Sequence, residues 1–445
     1  MFSFKTLSAV LLLSLATPAT SAPVEFWYSH TGAVAQAISE LCEHFNASRI
    51  DAARVHCVHQ GSYELTLQKT VAAYRGGQGP ALVELYDVAT ADILQGNATH
   101  NAETIMAEQN LGYAANTFVP ALRRYYAGVD GTLAAQPFAA STAVLYSHRD
   151  ALAAAGISEP PQTWEAFAVA LRALKEHGHS CPAVTDFAPW IWLEQTSATQ
   201  GSAVISQANG AAGLTSGYRF DQGSHLRLMS DLADWYSAGW VRDQAATRSG
   251  LQTLAFANGD CALLLDSTGA WSAIRDAGVS DINVTVLPIY SDTERHASVP
   301  GGSAIWIMRG HTQQEYAVAA AFLAYVLQTA NQLAFSIQTG YLPVTQSAAD
   351  QMLQSTNRQN AVTVGLAALT DINGQPSPPL RCGFLSRLRL IWTQQLRNAL
   401  AGRQTIYQAL HQSTQRGNSL LALFQETYPD ADSPDPGDQR TETMR

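Results

Sequence analysis

The chain has 445 residues, of which 47% are hydrophobic and 14% are charged, and its formal net charge is −10. This length predicts two lobes or domains, and this composition excludes an intrinsically disordered protein. The negative charge argues against nucleic acid as a partner, because phosphate backbones attract basic surfaces. A small anionic ligand stays compatible with the sequence, because it responds to the local field of a site.

Residues 1–22 are typical of an export signal. Lys5 supplies a positive start, Leu7–Ala16 forms a short apolar run, and Thr20–Ala22 has the small residues of a cleavage site. Pro23 disfavours a cut directly before it, so the cleavage position stays open. The apolar run is too short to span a bilayer, and we expect a soluble, exported mature protein.

The five cysteines are an odd number in an exported protein, so at least one thiol is unpaired within the chain and the pairing of the others stays open. Cys42 and Cys57 lie close in the sequence, whereas Cys181 and Cys261 each lie beside strand-like runs, so both pairs are candidates. Cys382 would then be left over. The histidines near Cys42 and Cys57 do not have the spacing of a zinc site, so we predict no metal and no cofactor.

The first part of the chain alternates between predicted strands and helices. In chain order these are strand 24–28, helix 33–45, strand 54–58, helix 62–74 and strand 81–86. Ser62 is the predicted N-cap of the second helix. Such alternation predicts an α/β lobe with an at least partly parallel sheet. The glycines of 76–79 precede a strand and lack a Walker lysine, so they indicate a turn and not a nucleotide loop.

Two later segments are predicted to cross between lobes. Gln136–Tyr146 combines Pro137 and small hydroxyl residues with a β-prone apolar run, which suits a strand that passes through a narrow gap and contacts a ligand. Val284–Pro288 is predicted to cross back. Between them, Thr163 is the predicted cap of a helix, and Trp190 lies in an aromatic-rich stretch that either packs in a core or lines a site.

Seven motifs, in this order, resemble those of the extracellular solute-binding proteins, family 1, of bacterial ABC importers, in particular the members that bind sn-glycerol 3-phosphate. The motifs are Gly61–Tyr63, Leu85–Val88, Gln136–Tyr146, Asn258–Cys261, Gly301–Gly302, Thr339–Pro343 and Leu388–Arg389. The resemblance implies the type II periplasmic binding protein fold, an α/β fold with two lobes and hinge-crossing strands. It also implies a periplasmic, non-catalytic protein that clamps its ligand between the lobes.

The two crossing-like segments and the turn at Gly340 set the expected lobes, and the resemblance sets the expected partners. The expected ranges are a signal peptide at 1–22, lobe one at 23–136 and 289–338, lobe two at 137–288 and 339–430, and a flexible tail at 431–445. We expect a monomer that binds a small phosphorylated polyol and delivers it to permease subunits in the inner membrane, with their ATPase on the cytoplasmic side.

Matched motif by motif, the ligand contacts of the family fall on a set of polar residues. They are Tyr63, Asp87, Ser141, Ser267, Gly302, Tyr341 and Arg389. Arg389 and the three hydroxyls of Ser141, Ser267 and Tyr341 would donate to the phosphate, and main-chain N–H groups at Gly302 would add donors. Asp87 and Tyr63 would accept from the glycerol hydroxyls. If Arg389 holds the phosphate, Arg389→Ala should abolish glycerol phosphate binding and leave the melting temperature of the empty protein nearly unchanged.

The chain departs from the family pattern at two positions. It has Asp87 where the family has Glu, and Phe187 where the family has a pocket Trp, with Trp190 as a nearby second candidate. A smaller ring would widen the pocket, so a glycerophosphodiester such as glycerophosphocholine is a second candidate ligand. Arg381 matches a further arginine of the family pattern and would assist at the phosphate.

Two other functions are compatible with parts of the sequence. An oligosaccharide-binding importer component would stack sugars on Trp190, Trp192 and Tyr341. A secreted hydrolase would pair Asp87 with Glu84 or Asp266 as acid and base. The hydrolase is disfavoured, because we find no nucleophile elbow, metal motif or Ser-His-Asp arrangement.

Overall fold

The structure is a computed structural model that describes residues 23–49, 54–128, 130–210, 216–354, 360–370 and 373–429. The predicted signal peptide and the predicted tail at 431–445 lie outside the described residues. The strands are β1 Val24–Tyr28, β2 Val55–His59, β3 Leu82–Tyr86, β4 Thr99–His100, β5 Gln136–Ser141, β6 Ala143–His148, β7 Ala183–Thr185, β8 Val241–Asp243, β9 Leu263–Ser267, β10 Ile282–Val286 and β11 Gly301–Met308.

Helices cover both sheets. They are α1 Gly32–Ser48, α2 Tyr63–Arg75, α3 Thr90–Gln95, α4 Ala102–Glu108, α5 Pro120–Tyr126, α6 Arg149–Ala154, α7 Trp164–Glu176, α8 Thr196–Thr199, α9 Ser206–Asn209, α10 Gly223–Ser237, α11 Gln252–Ala257, α12 Trp271–Asp276, α13 Gln313–Val326, α14 Thr329–Thr339, α15 Gln346–Gln354, α16 Ala361–Ala368, α17 Leu385–Leu400 and α18 Ile406–Thr427. Both predicted caps are confirmed: Ser62 accepts from the N–H of Leu65, and Thr163 accepts from the N–H of Ala166.

Two sheets divide the chain into two lobes. The first lobe is built on the order β2-β1-β3-β11-β4, with β5 paired to β11, and the second on the order β10-β6-β9-β7-β8. Strand β1 pairs in parallel with β2 and β3, which confirms the partly parallel sheet that the strand-helix alternation predicts. The second sheet is also mixed, because β7 is parallel to β8 and β9 while β6 is antiparallel to its neighbours.

The chain passes from the first sheet to the second at Thr142. Strand β5 pairs with β11 in the first sheet up to its last residue, Ser141, and β6 begins at Ala143 in the second. The predicted boundary after residue 136 therefore lies too early. Thr142 Oγ1 is 2.8 Å from Ser298 Oγ and 3.2 Å from the carbonyl of Val299, so this crossing lies against the segment that leads back to β11.

The boundary predicted after residue 338 also differs from the structure. Beyond the turn at Gly340, Leu342 and Val344 pack into the apolar cluster of the first lobe, and Leu342 bridges to Ala140 of β5. Helices α17 and α18 pack in the second lobe. A glycine turn shows where a chain changes direction, whereas complementary apolar surface decides which lobe the next segment covers.

Both candidate disulfides form. Cys42 on α1 is joined to Cys57 on β2, and Cys181 before β7 is joined to Cys261 before β9. Cys382 is the buried free thiol.

In the described part of the chain, no single helix has the length and apolar character needed to cross a membrane. By length and composition alone, one pair of helices bent by 68°, Gln313–Val326 with Thr329–Thr339, meets that criterion together.

A buried histidine should make the second lobe sensitive to acid. His225 is 3% exposed, it contacts Phe220 and Trp392, and neither ring nitrogen has a partner within the described residues. Burial lowers the pKa of His225 to about 3. Because the unfolded chain binds this proton near its ordinary pKa of about 6.5, stability should be lost as pH falls below that value, by about 1.4 kcal/mol per pH unit.

The test is urea denaturation at pH 7 and pH 4.5. Between pH 7 and pH 4.5, the free energy of unfolding should fall by about 2–3 kcal/mol less in His225→Leu than in the parent. His177→Leu, at an exposed position on the same lobe, should behave like the parent. An equal loss in all three proteins would contradict this prediction.

Candidate ligand-binding cleft

Arg389 on α17 joins two carboxylates from different lobes. Its Nε and Nη2 each lie 2.7 Å from an oxygen of Glu194, and Nη2 also lies 3.2 Å from Asp87 Oδ2. Asp87 directly follows β3 in the first lobe, and Glu194 lies in the π-helix Trp190–Gln195 of the second. The side chains of Arg389, Asp87 and Glu194 are 16%, 6% and 2% exposed, so this triad is largely desolvated.

The triad contains one guanidinium and two carboxyl groups, so the positive charge of Arg389 is already balanced within the triad. Burial opposes the charge of Arg389, but Glu194 and Asp87 outweigh it and raise the pKa of the guanidinium. Arg389 is therefore not the free cation that the family resemblance leads us to expect. Its Nη1 makes no hydrogen bond to the described residues. A carboxylate acceptor beside this N–H donor suits hydroxyl groups better than a phosphate.

A second group of side chains places phenols beside a serine. Ser267, at the end of β9, accepts from the N–H of Gly269 at 3.0 Å. A Cβ atom on Gly269 would lie 3.1 Å from Tyr341 Cζ and 3.3 Å from Ser267 Oγ, so Tyr341 and Ser267 are close neighbours. Tyr63 stacks on Tyr86 at 5.3 Å and interacts with the Tyr341 hydroxyl. The structure thus brings together Tyr63, Ser267 and Tyr341 from three distant motifs.

A histidine that the sequence analysis missed lies between these phenols. The ring centroid of His30 is 5.3 Å from that of Tyr63 and 5.4 Å from that of Tyr341. His30 Nε2 also lies 2.6 Å from the buried Glu84. A signal for it exists in the sequence. His30 follows β1 and Asp87 follows β3, and parallel neighbours place their carboxyl ends at one sheet edge.

The glycine turn at Gly301–Gly302 lies where β11 meets β5. Gly301 pairs with Ser141, whose hydroxyl makes no hydrogen bond to the described residues. A Cβ atom on Gly301 would lie 2.5 Å from the indole of Trp190, which is partly buried and has no partner for its Nε1 within the described residues. Trp190 and Ser141 thus both lie beside Gly301 at the crossing strands.

Phe187 is not a pocket residue, contrary to the sequence-based prediction. It is 1% exposed, and its ring lies 5.7 Å from that of Tyr236 on α10 and 5.5 Å from the Arg397 guanidinium on α17. Trp192 is likewise in the core of the second lobe, where its Nε1 donates to Thr185 at 2.7 Å. Trp190 lies instead beside Gly301. With Trp192 in the core, the sugar-stacking alternative loses one of its three aromatic rings.

Arg381 binds main-chain carbonyls of the first lobe and is not a member of the triad. Its Nη2 donates to the carbonyl of Arg124 at 3.2 Å and to that of Ala127, so it ties the entry to α17 to the first lobe. Its predicted part in phosphate binding is therefore not supported by these contacts.

The carboxylates of the hydrolase alternative are each held by other side chains. Asp87 is paired with Arg389, Glu84 with His30, and Asp266 accepts from Thr253 at 2.7 Å. Burial raises the pKa of Asp266 to about 6. These separate networks do not form an acid and base facing one reacting bond.

Comparisons with known proteins identify relatives of this chain. A family model described as bacterial extracellular solute-binding protein matches residues 40–362. The chain is 30% identical over 434 residues to the sn-glycerol-3-phosphate-binding periplasmic protein UgpB of Escherichia coli O1:K1, with 94% of this chain and 98% of that protein covered.

Two solved structures show the fold. The structure of UgpB from Mycobacterium tuberculosis in complex with glycerophosphocholine has a TM-score of 0.76 at 22% identity and covers 91% of this chain and 99% of its own. Maltose-bound MalE3 of T. maritima has a TM-score of 0.73 at 16% identity, with 90% and 99% covered. The likeness confirms the predicted two-lobed, type II periplasmic binding protein fold.

Proposed function

This chain belongs to the bacterial extracellular solute-binding protein family, and we propose that it captures a glycerol phosphate between its two lobes for an ABC importer. Proteins of this family bind solutes and are not enzymes. They work with a membrane permease and its ATPase. We further propose that the protein acts as a monomer in the periplasm, which is the compartment that the name of the glycerol-3-phosphate-binding relative gives.

The neutralised Arg389 is the observation that carries our choice of ligand. The triad with Asp87 and Glu194 sums to one negative charge, and His30 at most balances Glu84. A phosphate monoester has close to two negative charges at neutral pH, because its second pKa is about 6. A phosphodiester has one, so its burial without a free cation costs less. We therefore propose that a glycerophosphodiester binds more tightly than sn-glycerol 3-phosphate.

Each end of such a ligand has matching groups in the cleft. The triad offers Asp87 as an acceptor and Arg389 Nη1 as a donor for the glycerol hydroxyls. The phosphoryl oxygens would meet the hydroxyls of Ser141, Ser267 and Tyr341. The cationic head of a diester such as glycerophosphocholine suits a site with excess negative charge and partly buried aromatic rings.

The ligand would contact residues of both lobes. Asp87 and Tyr63 come from the first lobe, whereas Ser267 and Arg389 come from the second. Binding should therefore favour the closed arrangement, in proportion to the difference in affinity between the two states. We propose lobes that follow the two sheets, with Thr142 at the first crossing.

Calorimetric titration of the mature protein with three ligands tests this function. We expect glycerophosphocholine to bind more tightly than sn-glycerol 3-phosphate. The affinities should differ by about tenfold for each 1.4 kcal/mol by which the monoester costs more to desolvate than the diester. Maltose should not bind. Tight binding of maltose with no binding of either phosphate would contradict the proposal. Tighter binding of the monoester would retain the transport function and refute the preference for the diester.

A further inference from the structure

Glu84 and His30 form a buried hydrogen-bonded pair directly behind the cleft phenols. Glu84 is 0% exposed, and the side chain of His30 is 10% exposed. Oε1 of Glu84 lies 2.6 Å from His30 Nε2 and 2.5 Å from Ser303 Oγ, and Oε2 accepts from the N–H of Ser29 at 3.0 Å. The His30 Nε2 atom is also 3.1 Å from the Tyr63 hydroxyl oxygen.

The carboxylate determines which way these hydrogen bonds run. Burial raises the pKa of Glu84, but His30 and the hydrogen bonds from Ser303 and Ser29 outweigh it and lower the pKa overall. An ionised carboxylate only accepts hydrogen bonds. The hydrogen between Glu84 and His30 therefore belongs to Nε2 of the imidazole.

This assignment decides what the Tyr63 hydroxyl can do. A protonated Nε2 cannot accept a hydrogen bond, so the nearby Tyr63 oxygen does not donate to it. The phenolic hydrogen is left for another acceptor, and the hydroxyls that interact with Tyr63 are those of Tyr341 and of Ser303, which itself donates to Glu84. Without Glu84, the imidazole could adopt the other tautomer and take that hydrogen itself.

We propose that His30 and Glu84 are positioning residues for ligand binding, which keep Tyr63 and its neighbour Tyr341 as hydrogen-bond donors toward the phosphoryl group. The proposal rests on the proposed function, because that function places the two phenols at the ligand. His30 and Glu84 act through Tyr63 and need not touch the ligand themselves.

A double-mutant cycle tests whether His30 acts through Tyr63. Affinities for glycerophosphocholine and sn-glycerol 3-phosphate are measured by calorimetry for the parent, His30→Phe, Tyr63→Phe and the double variant. His30→Phe should weaken binding about tenfold in the parent, which is the size of one net hydrogen bond, and less than twofold in the Tyr63→Phe background. His30→Gln, which keeps an N–H donor for Glu84, should bind within about threefold of the parent.

A second variant covers the case in which His30→Phe does not fold. That substitution leaves a buried carboxylate without its partner, whereas His30→Phe/Glu84→Gln has no such charge and should fold with the same loss of affinity. His311→Phe is the matched control. It removes a histidine that pairs with Glu315 at 3.2 Å, beyond the end of β11 opposite the glycine turn, and should leave affinity unchanged.

The outcomes separate this proposal from the proposed function. If the parent binds neither phosphate, both are overturned. Another outcome is that the parent binds while His30→Phe lowers the affinity by the same factor with and without Tyr63, or does not lower it. In that case only the positioning role is overturned.

Discussion

Arg389→Ala is expected to abolish glycerol phosphate binding and also to destabilise the empty protein by about 3–5 kcal/mol. Truncation leaves Asp87 and Glu194 buried side by side without their shared cation. The affinity loss should be on the order of 2–5 kcal/mol, because the diol loses its donor and the acceptor beside it is no longer held in place. Chemical denaturation and calorimetry measure the two effects separately.

Two further variants test the explanation. Arg397→Ala removes an arginine two turns along α17 that pairs with Asp243 and whose side chain is 42% exposed, and it should cost about 1 kcal/mol or less. Arg389→Ala/Glu194→Gln removes one of the two stranded charges, so it should regain part of the lost stability without regaining binding. An unchanged melting temperature for Arg389→Ala would show that the triad does not form in the empty protein.

Gly302→Ala should destabilise the protein by about 2–5 kcal/mol, whether or not ligand is present. Gly302 has φ +96°, and an added Cβ atom would lie 3.0 Å from the carbonyl carbon of Ala139 and closer still to its oxygen. That carbonyl belongs to β5, which is held in the sheet and cannot move away at low cost. The resemblance assigns Gly302 to the ligand, but the backbone requires glycine there in any case.

Gly310→Ala is a close control for this prediction. Gly310 also has φ +96°, but an added Cβ atom there would have no neighbour within 4 Å. Gly310→Ala should lower the free energy of unfolding by about 1–2 kcal/mol, which is the cost of a side chain on a backbone with positive φ. Urea denaturation of both variants isolates the steric term at Gly302. Equal destabilisation would mean that β5 yields to the added atom, and that the glycine is not required by packing.

The sequence by itself determines the local features of this protein. The caps at Ser62 and Thr163 depend on a side chain and an N–H three residues later, so a short window contains both partners. The strand-helix alternation and the glycine turns are similarly local. The pairing of Cys42 with Cys57 could be proposed because only 15 residues separate them, and the ordered motifs led to the correct family.

Only the tertiary structure decides what each cleft residue does. Arg389 meets Glu194 across 195 residues and Asp87 across 302, and nothing local in the sequence shows that its charge is already balanced. Phe187 and Trp190 lie in the same aromatic stretch, yet one is in the core and the other at the crossing strands. Hydrophobicity indicates that such a residue is buried, whereas the direction of its side chain and its partners follow from how distant segments pack.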